Sequence, residues 1–472
     1  MSSVRVRRTI RRMLRTGLCT LIAALCATLL PATADAAPAP GVRASYANPV
    51  RTDGHVDAAA TIERLQAMNA GTYAFLVQNE TDWHDLEAFL PPAQTAGLAV
   101  WAYLVPPTEC PGGTSCAEYL PHKKDYTAWA KAIGSLSQHY PVLKAWAIDD
   151  FNHNLPFFTA SYTKQIRDAG RAVQPGLEFY PVVYSDAVTT SFVDAYGGNI
   201  DNLIMPFRDD PHRNTLWTGG VSAQLDTLVT RLAAKNRKLI LMVYASTLSA
   251  TTVAPDVAYV RAVTAAGLQY TAAGKIAGVV QYALPLTAGR PQKSDESFAH
   301  TGNGGLVFTV HPDTATKAGD FAAASTTIHL DDGSSSCRMV LWHGDDRAGS
   351  SPAGYHFKQA QVGGTQVWQR DVATEDTDWY TSAPIDLTPR LTGGSAVLTL
   401  RLYEAKAVAD YEVVARFDDV SLTGCHVADP GFESTGGWTF SRKNGDVNGG
   451  QHTYDPAYST SVLAAVGALY AA

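Results

Sequence analysis

The chain has 472 residues, of which 46% are hydrophobic and 17% charged. That composition excludes a disordered protein and leaves room for two or three domains, each with its own core. The formal net charge of −7 at pH 7 argues against nucleic acid or an anionic membrane as partner.

Residues 1–36 read as an export signal. Arg5, Arg7, Arg8, Arg11, Arg12 and Arg15 form a basic start, 17–30 is a short apolar run, and Ala34-Asp35-Ala36 is a small-residue cleavage site. Arg11-Arg12 suits a twin-arginine signal, and an ordinary secretory signal suits the stretch equally. Its loss would take the net charge to −12, because six arginines and one aspartate leave with it. No later run is long and apolar enough to span a bilayer, so the expectation is a secreted monomer. Cys19 and Cys26 belong to the leader. The remaining Cys110, Cys116, Cys337 and Cys425 suggest two disulfides, Cys110–Cys116 across a short loop and Cys337–Cys425 tying the two ends of a second domain. With no C-x-x-C and no paired histidines beside them, no zinc site is expected.

From residue 37 to 286, short apolar segments alternate with helical patterns. Strands are expected over 42–46, 73–77, 99–105, 143–148, 177–184, 203–207, 238–244 and 276–283. Helices are expected over 58–68, 126–139, 162–173, 222–235 and 256–266. Eight β/α repeats over this length predict a (β/α)8 TIM barrel. A doubly wound sheet is the alternative, and no G-x-G-x-x-G loop supports it. The last barrel helix has no clear counterpart in the sequence. Residues 287–304 read as a linker. Residues 305–427 carry runs of alternating polarity at 306–310, 327–330, 337–343, 355–362, 365–371, 379–382, 396–403 and 411–422, the pattern of an all-β, jelly-roll-like sandwich. The tail, 428–472, begins either an incomplete second module or a strand returning to the first.

In such a barrel the chemistry sits where strands end. The most informative end is the fourth. There an apolar run stops at two adjacent carboxylates, Asp149 and Asp150, and adjacent like charges cost free energy unless the fold uses them. The other ends supply Tyr46, then Glu80 after strand two, Glu109 after strand three, Asn152 and His153 beyond the pair, Tyr184 and Asp186, Arg208-Asp209-Asp210, Tyr244, and Gln281 with Tyr282. Acids, amides and tyrosines on one rim suit a sugar, since aromatic faces stack on pyranose rings and carboxylates bind hydroxyls. The candidates are Asp149 and Asp150 for catalysis, with Glu80, Tyr184, Asp186, Asp209, Tyr244, Gln281 and Tyr282 for substrate binding. The structural alternative for Asp149 is to cap the helix starting near Thr159 or to pair with Arg167 or Arg171. In the sandwich, Trp342, Trp368, Trp379 and Tyr403 are candidates for sugar stacking or for core. Asp331, Asp332, Asp418 and Asp419 are candidates for a structural calcium or for turn caps. No other cofactor is expected.

The segment Ile148-Asp149-Asp150-Phe151-Asn152-His153-Asn154 resembles the catalytic segment of glycoside hydrolase family 84, the O-GlcNAc hydrolases and their hyaluronidase-like bacterial relatives. The resemblance implies that Asp149 orients the substrate's 2-acetamido group, whose oxygen attacks the anomeric carbon, and that Asp150 is the general acid and base. Asp429-Pro430-Gly431-Phe432-Glu433 with Gly437-Trp438 resembles the opening strand of jelly-roll carbohydrate-binding modules, which implies a sugar-binding appendage. The expected function is therefore glycoside hydrolysis. An ordinary carboxylate pair acting on a neutral glycan, with Asp186, Asp209 or Glu80 as the second acid, and a non-catalytic polysaccharide-binding protein are the rivals.

Overall fold

The computed structural model describes residues 41–110, 116, 119–247, 251–292, 298–345, 352–374 and 376–472. The leader expected over 1–36 lies outside them. Eight parallel strands stand where the alternation places them, with ends shifted by up to three residues. They are β1 (Val42–Tyr46), β2 (Thr72–Val77), β3 (Ala99–Leu104), β4 (Leu143–Ile148), β5 (Glu178–Pro181), β6 (Leu203–Phe207), β7 (Leu239–Tyr244) and β8 (Gly278–Tyr282). The order is β5-β4-β3-β2-β1-β8-β7-β6. A parallel bridge between Val182 and Ile204 joins β5 to β6 and closes the ring. Because side chains alternate across a strand, one set fills the interior. Trp101, Tyr103, Tyr46 and Tyr180 pack there against Ala44, Ala74, Ala145 and Ala147, large residues facing small ones. The other set, Trp146 and Ile148 among them, meets the surrounding helices.

Most of those helices start at side-chain caps that satisfy their free amides. Asp57 caps α1 (Ala58–Ala67), Asn79 caps α2 (Glu80–Ala96), Asp125 caps α3 (Tyr126–His139) and Thr159 caps α4 (Ala160–Val173). Then come α5 (Thr190–Tyr196), α6 (Val221–Ala233) and α7 (Val257–Ala272). Among the described residues no helix is long and apolar enough to cross a membrane.

After β8 no barrel helix follows among the described residues before the chain enters a two-sheet antiparallel sandwich. One sheet centres on β9 (Gly304–Val310), β11 (Arg338–Asp345) and β15 (Val413–Thr423). The other holds β10 (Phe321–Leu330), β12 (His356–Val362), β13 (Thr365–Asp371) and β14 (Ser395–Glu404). Leucines and valines from both inner faces form its core. The tail pairs with both sheets: β16 (Thr439–Arg442) with β10, and β17 (Val447–Thr453) with β9. First and last sandwich strands are thus neighbours, and the chain exits beside the place where it entered.

It then forms α8 (Tyr458–Ala471), which packs against α7 and supplies the missing helix of the barrel. The Tyr470 hydroxyl donates to the Ala44 carbonyl at 2.9 Å and Tyr458 to the Ala245 carbonyl at 3.0 Å. Asn69, beyond the end of α1, donates to the Gly467 carbonyl at 3.0 Å. The sequence pattern does not anticipate a tail helix, because its partner surface lies nearly the whole chain away. Barrel and sandwich form one compact unit over 41–472. Both expected disulfides are present, with Cα–Cα distances of 4.9 Å for Cys110–Cys116 and 5.3 Å for Cys337–Cys425.

Candidate active site

Every strand except β2 sends a polar or aromatic side chain to the C-terminal mouth of the barrel. Tyr46, Tyr103, Tyr244 and Tyr282 stand at or next to the ends of their strands. Tyr46 stacks on Tyr103 with ring centroids 4.3 Å apart, lies 4.9 Å from Tyr282, and Tyr282 is 5.4 Å from Tyr244. Tyr184 extends this arc. Its ring lies between the His153 imidazole, centroids 4.9 Å apart, and the Arg208 guanidinium, 3.7 Å above it.

Strand β4 breaks into this arc. Asp149 keeps the inward direction of Ala145 and Ala147, so its carboxyl lies toward the floor beside Tyr103, Tyr46 and Tyr282. Asp150 adopts φ 39°, in the left-handed region. That conformation costs a non-glycine residue roughly 1 kcal/mol or more. Local bonds hold it. The Asp150 amide donates to Asp149 Oδ1 at 2.9 Å, and the Asp150 carbonyl accepts from the His153 amide and from Asn154 Nδ2, each at 3.1 Å. The turn aims the Asp150 carboxylate sideways at β5, where the Tyr184 hydroxyl donates to Oδ1 at 2.7 Å and His153 Nδ1 meets Oδ2 at 3.2 Å.

The two aspartates therefore ionise differently. Burial, then the neighbouring Asp150 charge, pushes Asp149 up to about 7. The Tyr103 hydroxyl works against that rise without reaching full hydrogen-bond geometry. Burial acts to raise Asp150 too, but the bonds from His153 and Tyr184 outweigh it and hold the carboxyl below its usual range. Asp149 is thus pushed toward the protonated form and Asp150 toward the ionised one.

A third carboxyl joins them. Glu109 ends a turn after β3 in which its amide donates to the Pro106 carbonyl at 3.0 Å. Its neighbour Thr108 accepts from Asn154 Nδ2 at 3.0 Å, the same amide that reaches the Asp150 carbonyl. This places the turn against the Asp150 corner. The residue is solvent-exposed at the rim, yet enclosure of its carboxyl end, followed by the Asp149 and Asp150 charges, pushes it up to about 8.

The structure brings Asp149, Asp150, Tyr184, Tyr244 and Tyr282 together and separates the other candidates. Gln281 points the other way: its Nε2 donates to Thr264 Oγ1 at 2.9 Å in the helix layer, since it has the opposite strand parity to Tyr282. Asp209 is buried at the seam with the sandwich, where Asn214 donates to it at 2.9 Å and Arg442 from β16 binds both its oxygens. Asp186 is exposed in the short turn Ser185–Ala187, where its charge acts on Asp210. Glu80 is exposed in the first turn of α2, where a negative charge suits the helix N-terminus. The structural roles considered for Asp149 are filled by others, because Thr159 caps α4 and Arg167 and Arg171 both pair with Asp201 at 2.7 Å. Tyr103 was not among the candidates. Its only signal was strand parity, two residues after the inward Trp101.

In the sandwich the aromatic candidates have protein partners. Trp342 stacks on His300 at 3.7 Å, Trp368 lies 4.8 Å from His343, Trp379 lies under Arg416, and Tyr403 under Arg401. Asp331 binds His426, while Asp418 and Asp419 accept from His300 and Thr301. Among the described residues no group of three or more histidines, cysteines or acids is arranged to hold a metal ion.

No family model matches the chain, and no curated protein matches it. Solved structures with a partial likeness include a β-D-glucuronidase from Dictyoglomus thermophilum (13% identity, TM-score 0.36, covering 52% of this chain and 43% of that one). A glucosidase from Croceicoccus marinus has 10% identity and a TM-score of 0.39, covering 81% of this chain and 96% of that one. An exo-β-1,4-mannosidase from an Opitutaceae bacterium has 14% identity and a TM-score of 0.37, covering 52% of each chain. The chain thus spans about half the length, or less, of the glucuronidase and the mannosidase. At these scores none of the three identifies a family, substrate or reaction for this chain, and the fold stands on its own strand order.

Proposed function

We propose that the protein is a glycoside hydrolase acting at the mouth of the barrel. The observation that carries this reading is the arc of tyrosines at the barrel mouth, with Asp149 beside it and the Asp150 carboxylate held by Tyr184 and His153. A sugar ring has aromatic faces to stack on, Asp149 meets its hydroxyls from the floor, and the ionised Asp150 faces the positive charge that develops at the anomeric carbon. A protonated carboxyl of the cluster donates to the departing oxygen.

On substrate, the favoured reading is an N-acetylhexosaminide cleaved with help from its own acetamido oxygen. The opposite wall of the mouth supports this. Strands β7 and β8 end in Tyr244 and Tyr282 with no carboxylate in the residues directly after them, and Asp209 is committed to Arg442. A nucleophile supplied by the substrate fits a site whose aspartates share one strand. In this version Asp150, rather than Asp149, orients the acetamido nitrogen. We also read 1–36 as an export signal, in keeping with two disulfides.

The test is a screen of aryl glycosides and polysaccharides with wild type and Asp150→Asn. Wild type should turn over at least one N-acetylhexosaminide, and the variant should lose about 10²- to 10³-fold in kcat. N-trifluoroacetyl analogues should react more slowly than N-acetyl ones. Equal behaviour of wild type and variant on every substrate cleaved would rule out the reading.

A further inference from the structure

The glycosidase reading, on which this inference rests, leaves the proton donor open among three carboxyls. Position separates them. Asp149 lies on the floor, where it meets the bound ring. Asp150 is occupied as an acceptor by Tyr184 and His153. The leaving group must run outward from the ring to solvent, so the glycosidic oxygen sits at the rim. Glu109 is the carboxyl at that rim. The turn that carries it is pinned on both sides. The Thr108–Asn154 bond ties it to the Asp150 corner, and Cys110, the next residue, is buried and bridged to Cys116.

We propose that Glu109 is the proton donor to the glycosidic oxygen, held over the aspartate pair by this turn and the disulfide that follows it. Its raised affinity for a proton, from enclosure and from the Asp149 and Asp150 charges, suits a group that must be protonated at neutral pH. As the bond between the anomeric carbon and the glycosidic oxygen breaks, its electron pair stays on the oxygen. That oxygen takes the Glu109 proton and departs as a neutral alcohol. The acetamido oxygen bonds to the anomeric carbon as the alcohol leaves; Glu109, now a carboxylate, then removes a proton from the water whose oxygen bonds to that carbon as the acetamido oxygen's bond to it breaks, and the enzyme is restored.

The test compares Glu109→Gln with wild type on two glycosides of whichever sugar wild type cleaves. One carries 2,4-dinitrophenol, which departs without protonation, and the other phenol, which does not. Loss of the donor should lower kcat/KM about 10²- to 10⁴-fold on the phenyl glycoside and about tenfold or less on the dinitrophenyl one. The basic limb of the pH–rate profile should vanish. Thermal unfolding of the variant should match wild type near pH 4, where the side chain is neutral in both proteins. An equal loss on both substrates, or no loss, overturns the proposal, as does a leaving-group split seen with Asp149→Asn instead. Failure of wild type to cleave any glycoside refutes the glycosidase reading itself and this proposal with it.

Discussion

Tyr184→Phe removes one atom from the site and should move one limb of its pH profile. The hydroxyl donates to Asp150 Oδ1 at 2.7 Å. The ring would stay between His153 and Arg208, so the packing is kept. A hydrogen bond to a charged group is worth about 1.5–3 kcal/mol, and a pKa unit corresponds to about 1.4 kcal/mol, so Asp150 should rise by about 1–2 units. The sign follows from the direction of the shift. Asp150 is held below the usual carboxylate range, so activity that needs it ionised persists as pH falls until that depressed pKa is reached. In Tyr184→Phe the decline begins about 1–2 units higher, while near neutrality, where Asp150 is ionised in both proteins, the change is small. The assay is kcat/KM on one aryl glycoside from about pH 3 to 8, with circular dichroism to show that both proteins stay folded. An acidic limb that stays where wild type has it refutes the assignment of Asp150 as the ionised partner.

Asp149→Asn tests the other half of the pair. Asp149 is raised to about 7, so the folded chain holds its proton more tightly than the unfolded chain, and stability is lost as pH rises from about 4 toward 7. The neutral variant should match wild type near pH 4 and be more stable at pH 8 by about 1–3 kcal/mol, read as a higher midpoint in urea. A variant less stable than wild type at pH 8 contradicts the raised pKa. Tyr470→Phe leaves the Ala44 carbonyl without its donor from α8 and should cost about 1–3 kcal/mol in urea unfolding. Truncation after Ala457 is more severe. It strips Tyr458, Val462, Val466 and Tyr470 from the core at about 1.5–3 kcal/mol each, comparable to a domain's whole net stability. Soluble, cooperatively folding truncated protein would show that α8 is not part of the barrel's closure.

The barrel strands were legible because each carries its own signal. A short apolar run such as 203–207 or 239–244 is buried on both sides whatever its neighbours do. Asp149 and Asp150 were legible for the complementary reason, since two charges at the end of such a run have no cheap structural explanation. The tyrosine arc was half legible. Tyr184, Tyr244 and Tyr282 end their segments, whereas Tyr103 lies inside one and only parity turns it inward. Gln281 and Asp209 show the limit of reading strand ends. One residue's shift in parity sends Gln281 to Thr264, and the partner that claims Asp209, Arg442, is 233 positions away in the chain.

The sequence by itself determined the β/α rhythm, the all-β second half, both disulfide pairs and the place of the acid pair on the fourth strand. These follow from local periodicity and from residue types that tolerate few environments. Only the tertiary structure decided in which direction each aspartate's affinity for a proton is pushed. That depends on Tyr184 and His153 reaching Asp150 while Asp149 is left to burial and to its neighbour's charge. Only the tertiary structure, too, brought Glu109 to the rim and returned the tail to the barrel as α8. Both are contacts between segments far apart in the chain, and such contacts leave no local pattern to read.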